Sequence, residues 1–548
     1  MPVGHDPRLH PGDQLSLAEV QRILGPVMAD ASVAKVCHNA KFDMAVMARH
    51  GLPVEGVDFD TMVAAWLLEP SGRGIGLKAQ ALQRLGVEME PIEELIGRGR
   101  NQVTLDMLPI GRVATYCCAD ADMTLRLMEL LDRELHETNQ WDLFHDIEMP
   151  LIPVLMDMEM HGMVVDVDYL QEMSQDLNRR QGELTNQVYA LAGHPFNLNS
   201  TKQLGEVLFD ELGLPVVRRT RTGYSTDAAV LDALQNKHPI VNLILENRQL
   251  EKLKGTYVEA LPGLVNPTTR RVHTWLSQTS TSTGRLSSSD PNLQNIPVRT
   301  ELGRQVRRAF VAPEGHYLIG CDYSQVELRL LAHLSQDPEL LGAFHRDEDV
   351  HASTAAAILG VGLEAVTGDQ RALAKTINFG LMYGMGDYGL SSRTDLSVDE
   401  AHTFIDAYFQ RFRRVKDYLD GILEYARREG YVQTILGRRR YFPELHVEGP
   451  TNRGLVRAAE RQAINMPIQG SAADIIKLAM IALHRLLREQ GLRSRMVLQV
   501  HDELVLEVPE DELEQVCDLV VDTMENAYAL SVPLKVDTST GKNWMEMK

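Results

Sequence analysis

The sequence predicts a multidomain α+β chain: an α/β region, then a largely helical one, then a β-rich core that a long helical insertion interrupts. Three observations predict this. A chain of 548 residues is expected to form several domains, since one domain takes roughly 100–200 residues. Apolar strands, HYLIGCD (316–322) and MVLQVHDELVLEV (496–508), flank a mostly helical block from 338 to 450. Before residue 135, short apolar runs such as AKVCHNAKF alternate with helix-like stretches such as ADADMTLRLMELLDREL, the pattern of an α/β unit.

Changes of pattern set the limits at 1–135, 136–260, 261–337, 338–450 and 451–548. The second region reads as helical apart from the polar loop FNLNSTKQL (196–204) and the turn-like RTRTGYSTD (219–227). In the last, MVLQV and LVLEV are two β-rich arms around a short polar turn, His501-Asp502-Glu503, hence an antiparallel hairpin. No internal repeat or low-complexity tract is visible.

Composition narrows the function classes. Apolar residues at 44% and charged residues at 24% allow several cores and argue against wholesale disorder. No apolar run near 18 residues and no basic, apolar leader stands out, so neither a membrane span nor a secretory signal is expected and the default compartment is cytoplasmic. Five scattered cysteines (Cys37, Cys117, Cys118, Cys321, Cys517) with no Cys-x-x-Cys pair suggest neither a disulfide framework nor a thiolate zinc site. The net charge of −21 would by itself vote against a polyanionic partner. Basic residues are locally dense, however: Arg299, Arg304, Arg307 and Arg308 in one stretch, and Arg427, Arg428, Arg438, Arg439 and Arg440 in another. Exposed charges further apart than about 8–10 Å are largely screened, so a local basic groove can bind phosphate on an acidic protein.

Asp322 closes one apolar strand and Asp502 occupies the hairpin turn. Alone, each is ordinarily a turn residue or a helix cap. Together they could hold magnesium, which takes hard oxygen ligands and keeps several waters, so two carboxylates and a substrate triphosphate suffice. Between them lies VTGDQRALAKTINFGLMYGMGDYGL (366–390). Thr367 followed by Gln370 is a capping-box signature, and Gly384 and Gly386 supply a stop, so about four helical turns are expected. Residues spaced by four drift about 40° per step, which puts Arg371, Lys375, Phe379 and Tyr383 on one stripe. That stripe suits a solvated basic patch running into core aromatics, or a triphosphate held by the cations while a sugar and base stack beyond. The acidic hairpin that follows favours the second.

DYSQVELR (322–329), RALAKTINFGLMYG (371–384) and QVHDELVLEV (499–508) resemble, in order, the three polymerase motifs of family A DNA polymerases, the bacterial DNA polymerase I type. TGRLSSSDPNLQNIPVR (283–299) and ERQAINMPIQGSAADIIK (460–477) extend the resemblance over essentially the whole chain. It implies a DNA-directed DNA polymerase, a nucleotidyltransferase of DNA replication and repair, with a right-hand architecture. The antiparallel palm sheet would comprise 261–337 and 451–548, the helical fingers 338–450 and the helical thumb 136–260. It implies two magnesium ions, for which manganese can substitute, held by Asp322, Asp502 and the backbone carbonyl of Tyr323. Arg371, Lys375 and His351 match triphosphate-binding positions, with Lys375 the proton donor to the leaving group. Phe379, Tyr383 and Gln325 match the nucleotide site. Glu327 matches the residue that closes the sugar pocket against a 2′-hydroxyl, so deoxynucleoside triphosphates are the implied substrates. Phenylalanine at 379 implies poor dideoxynucleotide incorporation, which side-by-side assays of wild type and Phe379→Tyr would test. Arg285, Asn292, Gln294, Asn295, Arg461, Asn465, Gln469, His501 and Lys254 match positions that contact primer-template DNA.

Residues 1–135 resemble the family's 3′–5′ exonuclease domain, RNase H-like in fold, in truncated form. Asn39 and Asp43 match its second motif, Tyr116 and Asp120 its third, and the Asp-x-Glu of the first is not found before Asp43. Little or no proofreading is therefore expected, and no 5′-nuclease domain. The implied protein is a monomer of the bacterial cytosol and nucleoid, without a membrane partner. Three other readings compete with this one: a single-subunit RNA polymerase of the same palm, a 3′–5′ exonuclease, and a non-catalytic nucleic-acid-binding protein.

Overall fold

The computed structural model describes residues 3–6, 8, 14–70, 74–221, 223–298, 300–394, 396–446 and 453–547. Thr222 and Arg299 lie outside them. Its centre is a four-stranded antiparallel sheet in the order Arg495–Val500, Glu503–Pro509, His316–Tyr323, Val536–Gly541. The register sets Asp322 opposite Glu503 on one side and Asp537 on the other. Every residue of Glu503–Pro509 is buried, because both faces of the sheet are covered. Leu504, Leu506 and Val508 join one core with the helices Val326–Ser335 and Leu513–Glu525, while Val505, Leu318 and Trp544 join another. A strand buried on both faces reads as a continuous apolar run rather than as an alternation, which is why LVLEV is so apolar.

The hairpin turns on His501 and Asp502 alone; Glu503, assigned to the turn from sequence, begins the next strand. His501 takes the left-handed conformation that a tight two-residue turn favours, with φ +55°. Three other expectations are refined. The loop 196–204 is helical at its end, since the Ser200 side chain caps Thr201–Gly205. The stretch 219–227 contains the short strands Arg219–Thr220 and Gly223–Tyr224. The helical block stops at Glu429, where Gly430 adopts φ +81°. An antiparallel pair, Tyr431–Gln433 with Arg439–Tyr441, follows it.

The helix Arg453–Glu489 is, among the described residues, the one long and apolar enough to cross a membrane by length and composition. The motif 460–477 lies within it, although no apolar run of that length stood out in the sequence. Here 78% of its apolar window is buried against the sheet and the neighbouring helices, so it serves as the protein's core helix.

The two arginine clusters do not form one open groove. Arg307 is buried over the Trp544 ring (3.9 Å) and donates to the Ile296 carbonyl (3.0 Å). Arg304, Arg427 and Arg428 pair with Glu301, Glu460 and Glu429, each at 2.6 Å. Arg438 is fully buried. Acidic partners thus compensate Arg304, Arg427, Arg428 and Arg438 locally, while Arg308 and Arg439 stack over the Tyr169 and Tyr431 rings.

In the N-terminal region the short strands Lys35–Cys37 and Val57–Asp60 run parallel, and the helix Ile110–Glu137 packs beside them. Its core continues into the helix Met149–His161, the bridge to the rest of the chain. That bridge ends at a clamp in which Glu507 accepts from His161 (3.0 Å) and from Arg271 through two bonds (2.8 and 2.9 Å). Burial alone would raise this carboxyl, but those hydrogen bonds and the Arg271 charge outweigh it and hold it at about 2. Its contribution to stability is present above the ordinary glutamate value near 4.5 and is lost as pH falls through about 2. At pH 7 it is expected to be about 3 kcal/mol. Unfolding free energies of wild type and Glu507→Gln should therefore differ by about that much at pH 7 and converge near pH 2.

Candidate functional site

Strand His316–Tyr323 delivers Asp322 to its exposed end, and the turn at its neighbour's start delivers Asp502 beside it. The Tyr323 N–H donates to the Asp502 carbonyl at 3.1 Å, so two residues 180 positions apart share one corner of the sheet. Gln325, at φ +54°, then turns the chain sharply into the helix Val326–Ser335. A non-glycine residue in that region costs about 1–3 kcal/mol and persists only where its surroundings enforce it. The consequence is that Glu327, in the first helical turn, faces the same corner.

Glu327 is buried and accepts from Arg285 Nη2 at 2.8 Å and from the Tyr383 hydroxyl. Burial raises its carboxyl despite both partners. Arg285 also lies 3.6 Å from Asp502 Oδ1. The Asp502 carboxyl is raised by burial, with Arg285 and His501 opposing. One guanidinium thus bridges the carboxylates of two separate elements.

The expected helix spans Gly368–Met382, with both halves of the Thr367–Gln370 capping box formed. Tyr383 is its C-cap and Gly384 (φ +71°) ends it. Arg371, Lys375 and Phe379 line a cavity of about 220 Å³ together with Asp322, Asp502, Tyr323, Gln325, Glu327 and His351. Tyr383 reaches the same place through Glu327. Arg371 pairs with Asp349 at 2.6 Å, a partner that sequence spacing did not disclose. His351 is buried, its Nδ1 accepting from Asn378 Nδ2 (3.0 Å) and its ring centred 5.7 Å from that of Phe379. Burial lowers it to about 4, against the pull of Asp349. It is therefore neutral at pH 7.

The remaining positions lie around this cavity. Gln294 donates to the Gln499 carbonyl at 3.1 Å, and Gln499 in turn donates to the His501 carbonyl. Gln499 was missed from sequence, although it sits in the hairpin motif. Asn292 accepts from the Asn295 N–H (3.2 Å), and Asn295 is exposed. Arg461, Asn465 and Gln469 follow one face of the helix Arg453–Glu489, with Asn465 and Gln469 in contact at 3.5 Å. A Cβ on Gly384 would stand 3.1 Å from Arg461 Cγ, so Arg461 packs at the end of the Gly368–Met382 helix. Lys254 is not brought to the cavity; it pairs with Glu259 at 3.3 Å.

Among the described residues no group of three or more His, Cys, Asp or Glu side chains is placed to hold a metal ion. For Asp322 and Asp502 that is no obstacle, because magnesium is commonly held by one or two carboxylates plus waters and substrate phosphates. The second cluster differs. Asn39, Asp43, Tyr116 and Asp120 share a cleft of about 930 Å³, but Lys78, also missed from sequence, pairs with Asp120 at 3.1 Å and lies 4.4 Å from the centre of the Tyr116 ring. Burial and the nearby Asp60 raise the Asp43 carboxyl to about 6. Two carboxylates, one of them neutralised by a lysine, do not fit a pair of divalent ions.

Residues 167–546 match the model for "DNA polymerase family A", and residues 9–136 match that for "3′-5′ exonuclease". The chain is 47% identical to DNA polymerase I of Chloroflexus aurantiacus over its whole length, covering 58% of that protein. It is 46% identical to that of Pseudomonas aeruginosa, with 97% of this chain and 59% of the relative covered. It thus spans about three fifths of the length of these curated relatives. A solved structure, the POL domain of Pol1 from M. smegmatis in complex with DNA primer-template and dNTP, superposes with a TM-score of 0.88 at 39% identity, covering 96% of this chain and 89% of that one. With the polymerase match spanning most of its length and these relatives alongside, the chain belongs to DNA polymerase family A.

Proposed function

We propose that this chain is a DNA-templated DNA polymerase that adds deoxynucleotides to a primer 3′-hydroxyl and releases pyrophosphate. The observation that carries the reading is the convergence of Asp322 and Asp502 on one cavity with Arg371 and Lys375. Asp322, Asp502 and the Tyr323 carbonyl would hold two divalent ions, magnesium or manganese, which supply charge neutralisation and a more acidic primer hydroxyl. In-line phosphoryl transfer asks mainly for positioning and charge compensation, and the chain's own residues provide both. Arg371 and Lys375 bind the triphosphate, Arg371 leaving Asp349 to do so, and Lys375 donates a proton to the departing pyrophosphate oxygen. Phe379 packs the incoming sugar, and Glu327, fixed by Arg285 and Tyr383, leaves no space for a 2′-hydroxyl. Neutral His351 contributes a hydrogen bond rather than a charge.

Primer-template DNA would lie against Arg285, Asn292, Gln294, Asn295, Arg461, Asn465, Gln469 and His501, with Lys254 further along the duplex. Donors aimed at the minor groove can check the shape of every base pair without reading sequence. The division into palm (261–337 and 451–548), fingers (338–450), thumb (136–260) and exonuclease-like region (1–135) belongs to the same reading. So does action as a monomer in the bacterial cytosol, at the nucleoid and away from membranes.

Magnesium-dependent extension of a labelled primer tests the proposal. Extension with deoxynucleotides, and much less with ribonucleotides, is expected; a preference for ribonucleotides would establish the RNA polymerase reading instead. In the same assay without nucleotides, release of 3′-terminal residues from a mismatched primer is expected to be at least about 10²-fold slower than extension, because the Asp43–Asp120 cleft does not fit two metal ions. Release at a rate comparable with extension would refute this.

A further inference from the structure

A cluster of charges lies fully inside the protein where the N-terminal region meets the palm. Glu148 Oε1 accepts from Arg438 Nη2 (2.5 Å) and Lys477 Nζ (2.6 Å), and Glu148 Oε2 accepts from Gln278 (2.7 Å). Arg438 also donates to Asp474 Oδ1 from Nε (2.8 Å) and Nη2 (2.6 Å). The Thr434 hydroxyl donates to Asp474 (2.6 Å) and accepts the Arg438 N–H (3.1 Å). All four charged side chains are at most 2% exposed and their charges sum to zero. The Trp66 ring, from the N-terminal helix Thr61–Leu68, caps the cluster, centred 5.2 Å from Arg438 and 5.3 Å from Lys477.

What this cluster touches next is the segment that carries Arg285. Trp66 Nε1 donates to the Thr281 carbonyl (3.1 Å), and the Thr281 hydroxyl donates to the Arg285 carbonyl (2.7 Å). Between them Gly284, at φ +85°, lies so close to Arg438 that a Cβ there would stand 2.4 Å from Nε. The guanidinium plane is thus the floor on which residue 284 rests. We infer that Trp66 and the charge cluster around Arg438 are a positioning device for Arg285, holding the 281–285 loop so that its guanidinium meets Glu327 and Asp502. The N-terminal region thereby acts on the polymerase cavity through its packing, whatever its own cleft does. Misplacing a group by about 1 Å at a reacting centre can cost about 10²-fold in rate, so a backing of this kind affects turnover as well as stability.

The inference rests on the DNA-synthesis reading above. A double-mutant cycle tests it, with single-turnover addition of a correct nucleotide to a matched primer by wild type, Trp66→Phe, Arg285→Ala and the double variant. Trp66→Phe keeps an aromatic ring and deletes the N–H; a thermal melt establishes that each variant is folded. Trp66→Phe is expected to slow addition about tenfold when Arg285 is present and less than about twofold when it is not, with KM for the nucleotide changed little. Equal effects in both backgrounds, or none in either, would overturn the inference while leaving the polymerase reading intact. Failure of the wild-type chain to extend the primer would overturn both. Should Trp66→Phe not fold, Thr434→Val takes its place in the same cycle, since it removes the hydroxyl that ties Asp474 to the Arg438 backbone.

Discussion

Asp502→Ala is expected to slow nucleotide addition by about 10³-fold or more while changing primer-template affinity by less than about threefold. The asymmetry follows from where the residue sits. Asp502 occupies a two-residue turn whose backbone is fixed from both sides, by the strand pairing of Val500 with Glu503 and by the Tyr323 N–H. Removing its carboxylate therefore deletes charge at the cavity without unfolding the hairpin. Arg285 keeps its shorter contact with Glu327 at 2.8 Å, so that wall of the cavity stays in place. What disappears is half of the carboxylate pair proposed to hold the divalent ions. Asp322→Ala should match it closely, and the double variant should be little worse than either, because residues that act as one unit are not additive. Single-turnover extension gives the rate and titration of labelled duplex gives the affinity. A loss below tenfold at both positions would mean that the chemistry is centred elsewhere.

How far such a site can be read from sequence depends on the range of the contacts that build it. The Gly368–Met382 helix is local: a Thr-x-x-Gln cap, a four-residue stripe and a closing Gly384 are all written within one segment, and the structure forms each of them. The hairpin is nearly local, and the error there was a single residue, Glu503, because a polar side chain within a strand buried on both faces looks like part of a turn. Elsewhere the deciding partner lies far along the chain. Nothing near Arg371 announces Asp349, 22 positions away, nor does anything near Asp120 announce Lys78. The arginine clusters divide for the same reason. Density of positive charge along the chain does not distinguish Arg438, enclosed by Glu148 and Asp474, from a residue facing solvent. Burial is a property of the whole fold, and a charged residue is buried only where distant partners compensate it.

Glu148→Gln is expected to destabilise the fold by about 3–5 kcal/mol, the largest stability effect of any single substitution argued from this structure. Burial alone would raise the Glu148 carboxyl; Lys477 and Arg438 outweigh it and hold it below the usual range. Burial and the neighbouring Arg438 already pull Lys477 down to about 8, with Glu148 opposing them. A neutral amide at 148 leaves two buried cations facing Asp474 alone, and Lys477 Nζ loses its 2.6 Å acceptor charge. Losing that charge lowers the folded pKa of Lys477 further below the unfolded one, so the lysine relieves the imbalance by giving up its proton. Between that lower value and about 8 the folded variant binds fewer protons than folded wild type, so its stability rises faster with pH. The gap between the two should accordingly be widest below pH 7 and narrow as pH rises through about 8. Adding Lys477→Met to Glu148→Gln should recover part of the loss, since an apolar side chain of similar length needs no counter-charge. Urea titrations of the three proteins from pH 6 to 9 measure all of this. A gap that stayed constant over that range would show that Lys477 does not take up the imbalance, and a gap below about 1 kcal/mol would show that Glu148 is not the charge that permits Arg438 and Lys477 to be buried together.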